Sequence, residues 1–125
     1  MSGPSWVAFA IAAGLGAAAR YRIDGFVQVR AGGAFPWGTL VVNVSGCFLL
    51  GLLTGFGLYR GLGTATQTVL GAGGLGAYTT FSTYTFETVQ LAAQGAFVAA
   101  GRNVAANLVL GLAAAAAGLA LAAAL

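Results

Sequence analysis

Only seven residues in this chain of 125 carry a charge: Arg20, Arg22, Asp24, Arg30, Arg60, Glu87 and Arg102. There is no Lys and no His. Most of these charges stand between apolar stretches rather than within them. A water-soluble domain has about a quarter of its residues charged, against 6% here, and 59% of the chain is hydrophobic. The mean hydropathy of +0.91 points the same way. Such a chain cannot cover itself with polar surface and belongs in lipid. The net charge of +3 comes from five scattered arginines, not from the clustered basic patch that nucleic-acid binding requires. It reads as charge flanking a membrane.

A helix needs about 20 apolar residues to cross the bilayer core. Four runs suit that length, which predicts an all-α membrane protein: one transmembrane domain with helices at about 5–23, 37–59, 64–93 and 96–125. Arg30, Gly32-Gly33 and Pro36-Trp37 mark the first loop, and Pro36 suits the entrance of the second helix. Trp37 and Tyr59 place aromatic anchors at both ends of that helix, and Arg60, Gly61 and Gly63 close it. The first run ends in Ala17-Ala18-Ala19, which resembles a signal-peptidase site. No basic residue precedes it as a signal requires, so a mature helix is expected. The single Cys47 rules out an intrachain disulfide and is expected as a buried free thiol.

The third run is too long for an untilted span. It contains Gly71, Gly73, Gly74 and Gly76, then the polar stretch Thr79-Thr80-Phe81-Ser82-Thr83-Tyr84. Local propensity opposes a continuous helix there. Backbone that leaves the helix inside a membrane must be shielded by protein or line a polar cavity, so a break would imply a site. The alternative is a continuous helix whose glycines permit close packing. Gly51 and Gly55, and Gly111 and Gly118, also point to tight helix contacts. Four short helices do not easily enclose a pathway, which favours a homo-oligomer, most simply a two-fold pair.

Polar groups at membrane depth need partners. Asn43 shares a stripe with Thr39 and Cys47, and the fourth helix offers Asn103 and Asn107 on another. These are either interhelical glue or a shared polar track. Phe81 and Tyr84 are spaced to project from one side of a helix. They either pack, or turn positive ring edges toward an anion. Combined with amide and hydroxyl donors, such edges could replace part of the water shell of a small anion. Glu87 reads as a mouth residue or a snorkelling carboxylate, and Arg20 as a vestibule charge or an interfacial anchor.

At these residues the chain resembles the Fluc family of fluoride channels, also called CrcB. The likeness rests on Gly16-Ala17 with Arg20-Tyr21, then Trp37-Gly38-Thr39-Leu40 with Asn43, Gly46, Phe48 and Gly51. Above all it rests on Thr79-Thr80-Phe81-Ser82-Thr83 with Glu87. It implies four transmembrane helices with a broken third, assembled as an antiparallel, dual-topology homodimer in a microbial plasma (inner) membrane. Two fluoride pores would each be lined by both subunits. It further implies a central structural Na⁺ on the backbone carbonyls of Gly76 and Thr79. Asn43, Phe81 and Thr80 take the family's pore positions, with Ser82, Thr83, Tyr84, Asn103 and Asn107 completing the expected pore. Arg20, Glu87 and Thr39 fall at the vestibule or mouth. Tyr84 stands where the family usually has a second Phe, and Asn103 and Asn107 stand where tyrosine and serine are usual.

Two rival readings remain from the residues. A small proton-coupled multidrug exporter would need a carboxylate deep in a helix, for which only Glu87 could serve. A non-transporting membrane assembly subunit would use the Asn, Thr and Gly positions for packing alone. Enzymatic chemistry is not expected, since no His is present, the two acids are far apart, and no serine or cysteine has an evident base. The arginines divide unevenly, with Arg20, Arg22, Arg30 and Arg102 on one side against Arg60 on the other. The positive-inside rule reads that as one preferred orientation, whereas the resemblance implies both.

Overall fold

Pro36 and Gly61 bracket the most regular helix of the chain. In the computed structural model, which describes all 125 residues, α2 spans Trp37–Arg60. Gly61 ends it in the left-handed conformation, φ 71°, with its N–H returned to the Phe56 carbonyl, a position where a Cβ would be strained. Every other regular element is helical too: α1 (Gly3–Ala31), α3 (Thr64–Gln67), a π-helix (Thr68–Leu75), α4 (Gly76–Tyr78), α5 (Phe81–Ala93) and α6 (Phe97–Ala124). Between α4 and α5, Thr79 and Thr80 are extended, with ψ of 160° and 121°.

The end of α1 departs from expectation. The helix continues past Ile23 to Ala31, because loss of apolarity is not loss of helix propensity. Arg22 to Ala31 contains no proline, and the chain turns only at Gly32 and Gly33, both with positive φ. The added length has a use. Gln28 reaches the start of α2, where its Nε2 donates to the Phe35 carbonyl at 3.0 Å and its Oε1 accepts the Gly38 N–H at 3.1 Å. One side chain thus satisfies a first-turn donor that would otherwise be orphaned.

The main helix pairing is α2 against α6. Their backbones nearly touch: a Cβ added at Gly51 would collide with the Ala115 carbonyl, and one at Gly118 with the Phe48 carbonyl. Small residues permit such approach, and dispersion between close backbones then holds the pair. α1 packs along the π-helix and α4, while α5 leans on α6.

Little of the apolar chain is inside. Only 18 of 125 residues are buried, and Leu15, Leu58, Phe86 and Leu112 are all exposed. A soluble domain could not leave so much apolar surface in water. Two helices, α2 and α6, are long and apolar enough to cross a membrane, with mean hydropathies of 1.8 and 2.1. The expectation of four spans thus divides. The apolar part of α1 is short before Arg20 and Arg22, and 64–93 is interrupted by glycines and hydroxyls, so neither stands out by length and apolarity alone. The chain is a helical membrane protein.

Candidate functional site

Two extended residues between helices leave backbone groups without helical partners, and buried ones must be paired elsewhere. For Thr80 the partner is Asn43 on α2. The Thr80 N–H donates to Asn43 Oδ1, and Asn43 Nδ2 donates to the Thr80 carbonyl, each at 2.9 Å. Thr80 also caps α5, its Oγ1 accepting the Thr83 N–H at 3.1 Å, as N-cap threonines do. The neighbouring Thr79 carbonyl accepts from Arg20 Nη1 at 3.5 Å.

Asn43 continues the network into α6. Its Nδ2 also donates to Asn107 Oδ1 at 3.1 Å. Asn107 Nδ2 in turn donates to the Asn103 carbonyl at 2.9 Å and to Asn103 Oδ1 at 3.0 Å. Asn103 is fully buried, with Nδ2 donating to Thr88 Oγ1 at 2.8 Å and reaching the Tyr84 carbonyl at 3.5 Å.

Beside this network lies a groove of about 840 Å³. Asn43, Gly76, Thr79, Thr80, Phe81, Tyr84 and Asn107 line it, and no charged side chain does. The Phe81 ring is 77% exposed, with its centroid 5.7 Å from that of Tyr84 and the planes at 60°. Two further cavities follow. One of about 160 Å³ is bordered by Arg20, Asp24, Thr39, Thr80 and Thr83. Another of about 570 Å³ holds Asp24, Gln28, Glu87 and Gln90. Thr80 borders both the groove and the arginine cavity, and Asp24 borders both of the smaller cavities. Thr39 Oγ1 donates to Glu87 Oε1 at 3.0 Å, while the buried Glu87 Oε2 has no partner.

Most of the residues singled out from sequence are therefore brought together, though not all in one place. Asn43, Thr80, Phe81, Tyr84 and Asn107 share the groove with Gly76 and Thr79. Thr83, Thr39 and Arg20 lie across Thr80 from it, and Glu87 lies further on. Asn103 is not brought to the groove, and Ser82 only approaches Thr80 Oγ1 at 3.3 Å. Sequence reasoning passed over Thr88, Gln28 and the hydroxyl contact between Ser45 and Tyr78 at 2.8 Å. Thr88 had a readable sign: a threonine one turn after Tyr84 can return its hydroxyl to that carbonyl, and it does so at 2.8 Å.

Comparison with known proteins agrees with this geometry. The family model described as CrcB-like protein, Camphor Resistance (CrcB), matches residues 7–119. A protein of Symbiobacterium thermophilum named fluoride-specific ion channel FluC 1 is 48% identical over 119 residues, covering 94% of this chain and 96% of its own. A Streptomyces avermitilis protein of the same name is 42% identical over 114 residues, 91% of this chain and 92% of its own. The namesake from Leifsonia xyli subsp. xyli is 49% identical over 94 residues, 75% of this chain and 69% of its own. With the family model matched over residues 7–119 and likeness along nearly the whole chain, this protein belongs to the CrcB family.

Proposed function

We propose that this chain is the subunit of a fluoride-selective channel, a passive conduit and not an enzyme, that lets fluoride leave the cell across the plasma membrane. The observation that carries the reading is the groove: largely apolar, with Asn43, Thr80 and Asn107 among its lining, bordered by two aromatic rings, and free of charged side chains. A small anion gives up tightly held water only where other groups replace it. A fixed cation on the path would hold the ion too firmly to release it. The positive edges of the Phe81 and Tyr84 rings offer replacement without that trap. Across Thr80 from the groove, the cavity of Arg20, Asp24, Thr39 and Thr83 is read as a vestibule, so the guanidinium stands at the entrance and not in the groove itself. The relatives named as fluoride-specific channels support this choice of ion.

The finer architecture belongs to the same proposal. Stretch 64–93 is read as one membrane crossing interrupted at Thr79 and Thr80, making four crossings with α1, α2 and α6. The groove lies open along one side, and a second copy in antiparallel orientation would close it, giving two pores from a two-fold pair. The carbonyls of Gly76 and Thr79 would hold a structural Na⁺, since hard cations take oxygen ligands, with the Thr79 oxygen turning to the ion in place of its 3.5 Å contact with Arg20. The Thr80 N–H that would serve the Gly76 carbonyl in an unbroken α-helix is given to Asn43 instead. Two oxygens from one chain leave the coordination to be completed by the second copy. Such an ion would join the subunits at their centre.

The test is fluoride efflux from liposomes carrying the purified protein. Passive fluoride release that excludes chloride and ignores an imposed pH gradient is the expected result. Dependence on a proton gradient would favour the exporter reading, and no flux at all a non-transporting subunit.

A further inference from the structure

Three carboxamides meet in this fold, and the direction of every hydrogen bond among them can be worked out. Amide oxygen and nitrogen are assigned from their partners, and here the partners leave no choice. Thr80 presents one backbone N–H and one backbone C=O to Asn43, so Oδ1 must face the first and Nδ2 the second. The remaining Nδ2 proton then points at Asn107, which must receive it through Oδ1. Asn107 Nδ2 faces the Asn103 carbonyl, which can only accept, and Asn103 Oδ1. Asn103 is left with Nδ2 toward Thr88 Oγ1 and the Tyr84 carbonyl, and Thr88 passes its own proton to that same carbonyl. Each amide has two N–H donors, and all of them are committed to oxygen atoms of the chain.

We propose that Asn103 and Asn107 are positioning residues. They form a one-way amide relay that starts at the Thr80 backbone, runs along α6 and ends on the Tyr84 carbonyl, fastening the first turn of α5 to α2 and α6 without donating to the ion. The idea rests on the channel reading for its functional consequence, but not for its geometry. The site of the relay makes it suited to the task. It begins at the extended link beside Phe81 and ends on Tyr84, one turn further along the same helix, so the placement of both rings, as a pair, against α2 and α6 is set by the relay. Asn103, its middle member, is fully buried and borders none of the three cavities described above. A ligand would need to reach the groove; a positioning group does not. The Thr79 and Thr80 hydroxyl protons are likewise given to the Leu75 carbonyl and to Thr83 Oγ1, so contact with the ion falls to the ring edges.

Thr88 tests the relay because it lies at the far end and lines none of those cavities. Thr88→Val keeps the shape and removes the hydroxyl that receives Asn103 and anchors Tyr84. Fluoride efflux from liposomes should slow by about tenfold, roughly the loss of one well-made hydrogen bond, and Thr88→Ser should restore it. Asn107→Leu should slow efflux as well, and the double variant Thr88→Val/Asn107→Leu should be no slower than the worse single one, since both cut the same chain. Independent ion ligands would instead multiply their effects. A readout free of transport is the side-chain amide spectrum of ¹⁵N-Asn-labelled protein in detergent. Wild-type Asn103 and Asn107 amide protons should exchange slowly, and Thr88→Val should shift the Asn107 resonances across the intervening Asn103. Rapid exchange in the wild type, an unmoved Asn107 signal, or wild-type efflux in Thr88→Val overturns the relay. A wild-type protein that carries no fluoride defeats the channel reading alone, and the spectra then decide the relay by themselves.

Discussion

The carboxamide of Asn43 stands in, at Thr80, for both backbone partners that an unbroken helix would have supplied, taking the N–H and meeting the C=O at 2.9 Å each. One side chain on α2 thereby makes an extended link tolerable in an apolar setting. The same contact places the Thr80 hydroxyl between the groove and the arginine cavity. On the channel reading, one residue then serves both stability and passage.

Asn43→Leu should therefore fail in two ways. It leaves two backbone groups of Thr80 unpaired, at about 1–3 kcal/mol each, and the thermal unfolding midpoint in detergent should drop clearly. Fluoride efflux should vanish with it. Asn43→Asp keeps an acceptor for the N–H but sets a carboxylate against the C=O, so it should also melt below the wild type. An unchanged midpoint in Asn43→Leu would contradict the geometry.

Phe81 allows function to be separated from folding. Its ring is 77% exposed in the single chain, so little packing is lost when it is replaced. Phe81→Ile should keep the helical circular dichroism and melting behaviour of the wild type while abolishing fluoride flux. Retained flux would remove this ring from the mechanism.

Much of the architecture was legible in the residues, and the remainder was hidden for identifiable reasons. Proline before Trp37 and glycine after Arg60 mark α2 because they act on the backbone directly. The apolar run ends at Ile23 while α1 continues to Ala31, because polar residues that end an apolar run need not end a helix. The glycines of 71–76 and the hydroxyl run after them show where an α-helix is disfavoured. They do not show that the departure takes two forms, π-turns over Thr68–Leu75 and an extended pair at Thr79 and Thr80. At the site, Asn103 and Asn107 share a helix face by spacing alone. That Asn107 reaches the groove while Asn103 turns toward α5 depends on how α6 is rotated against its neighbours, which no local pattern encodes.

Tyr84 lines the groove with its ring beside that of Phe81. Its hydrogen bonds run through its backbone carbonyl, so the ring hydroxyl takes no part in the network that holds it. Tyr84→Phe should leave conduction intact. Complete loss of efflux would show that this hydroxyl is a required donor to the ion.

The seam between α2 and α6 admits no side chain at Gly118, where a Cβ would strike the Phe48 carbonyl. Backbone cannot yield as a flexible side chain can. Gly118→Leu should push the helices apart, at a cost of about 1–3 kcal/mol or more, and should appear as poor recovery and a lowered melting point. The same change at Gly101, where a Cβ meets nothing within 4 Å, should be tolerated.

Glu87 separates the channel from a proton-coupled exporter. Its Oε1 accepts from Thr39 Oγ1 at 3.0 Å, and its buried Oε2 has no partner. Glutamine preserves the shape and the acceptor, and removes the charge whose burial is costly. Glu87→Gln should thus melt no lower than the wild type. Proton coupling requires an ionisable group on the path, and apart from Asp24 in the same cavity no other carboxylate exists in the chain. A passive channel has no such requirement, so fluoride efflux should survive both Glu87→Gln and the double variant Glu87→Gln/Asp24→Asn, with no response to an imposed pH gradient. Transport in the wild type that follows the gradient and disappears in these variants would assign the carboxylates to coupling and overturn passive conduction.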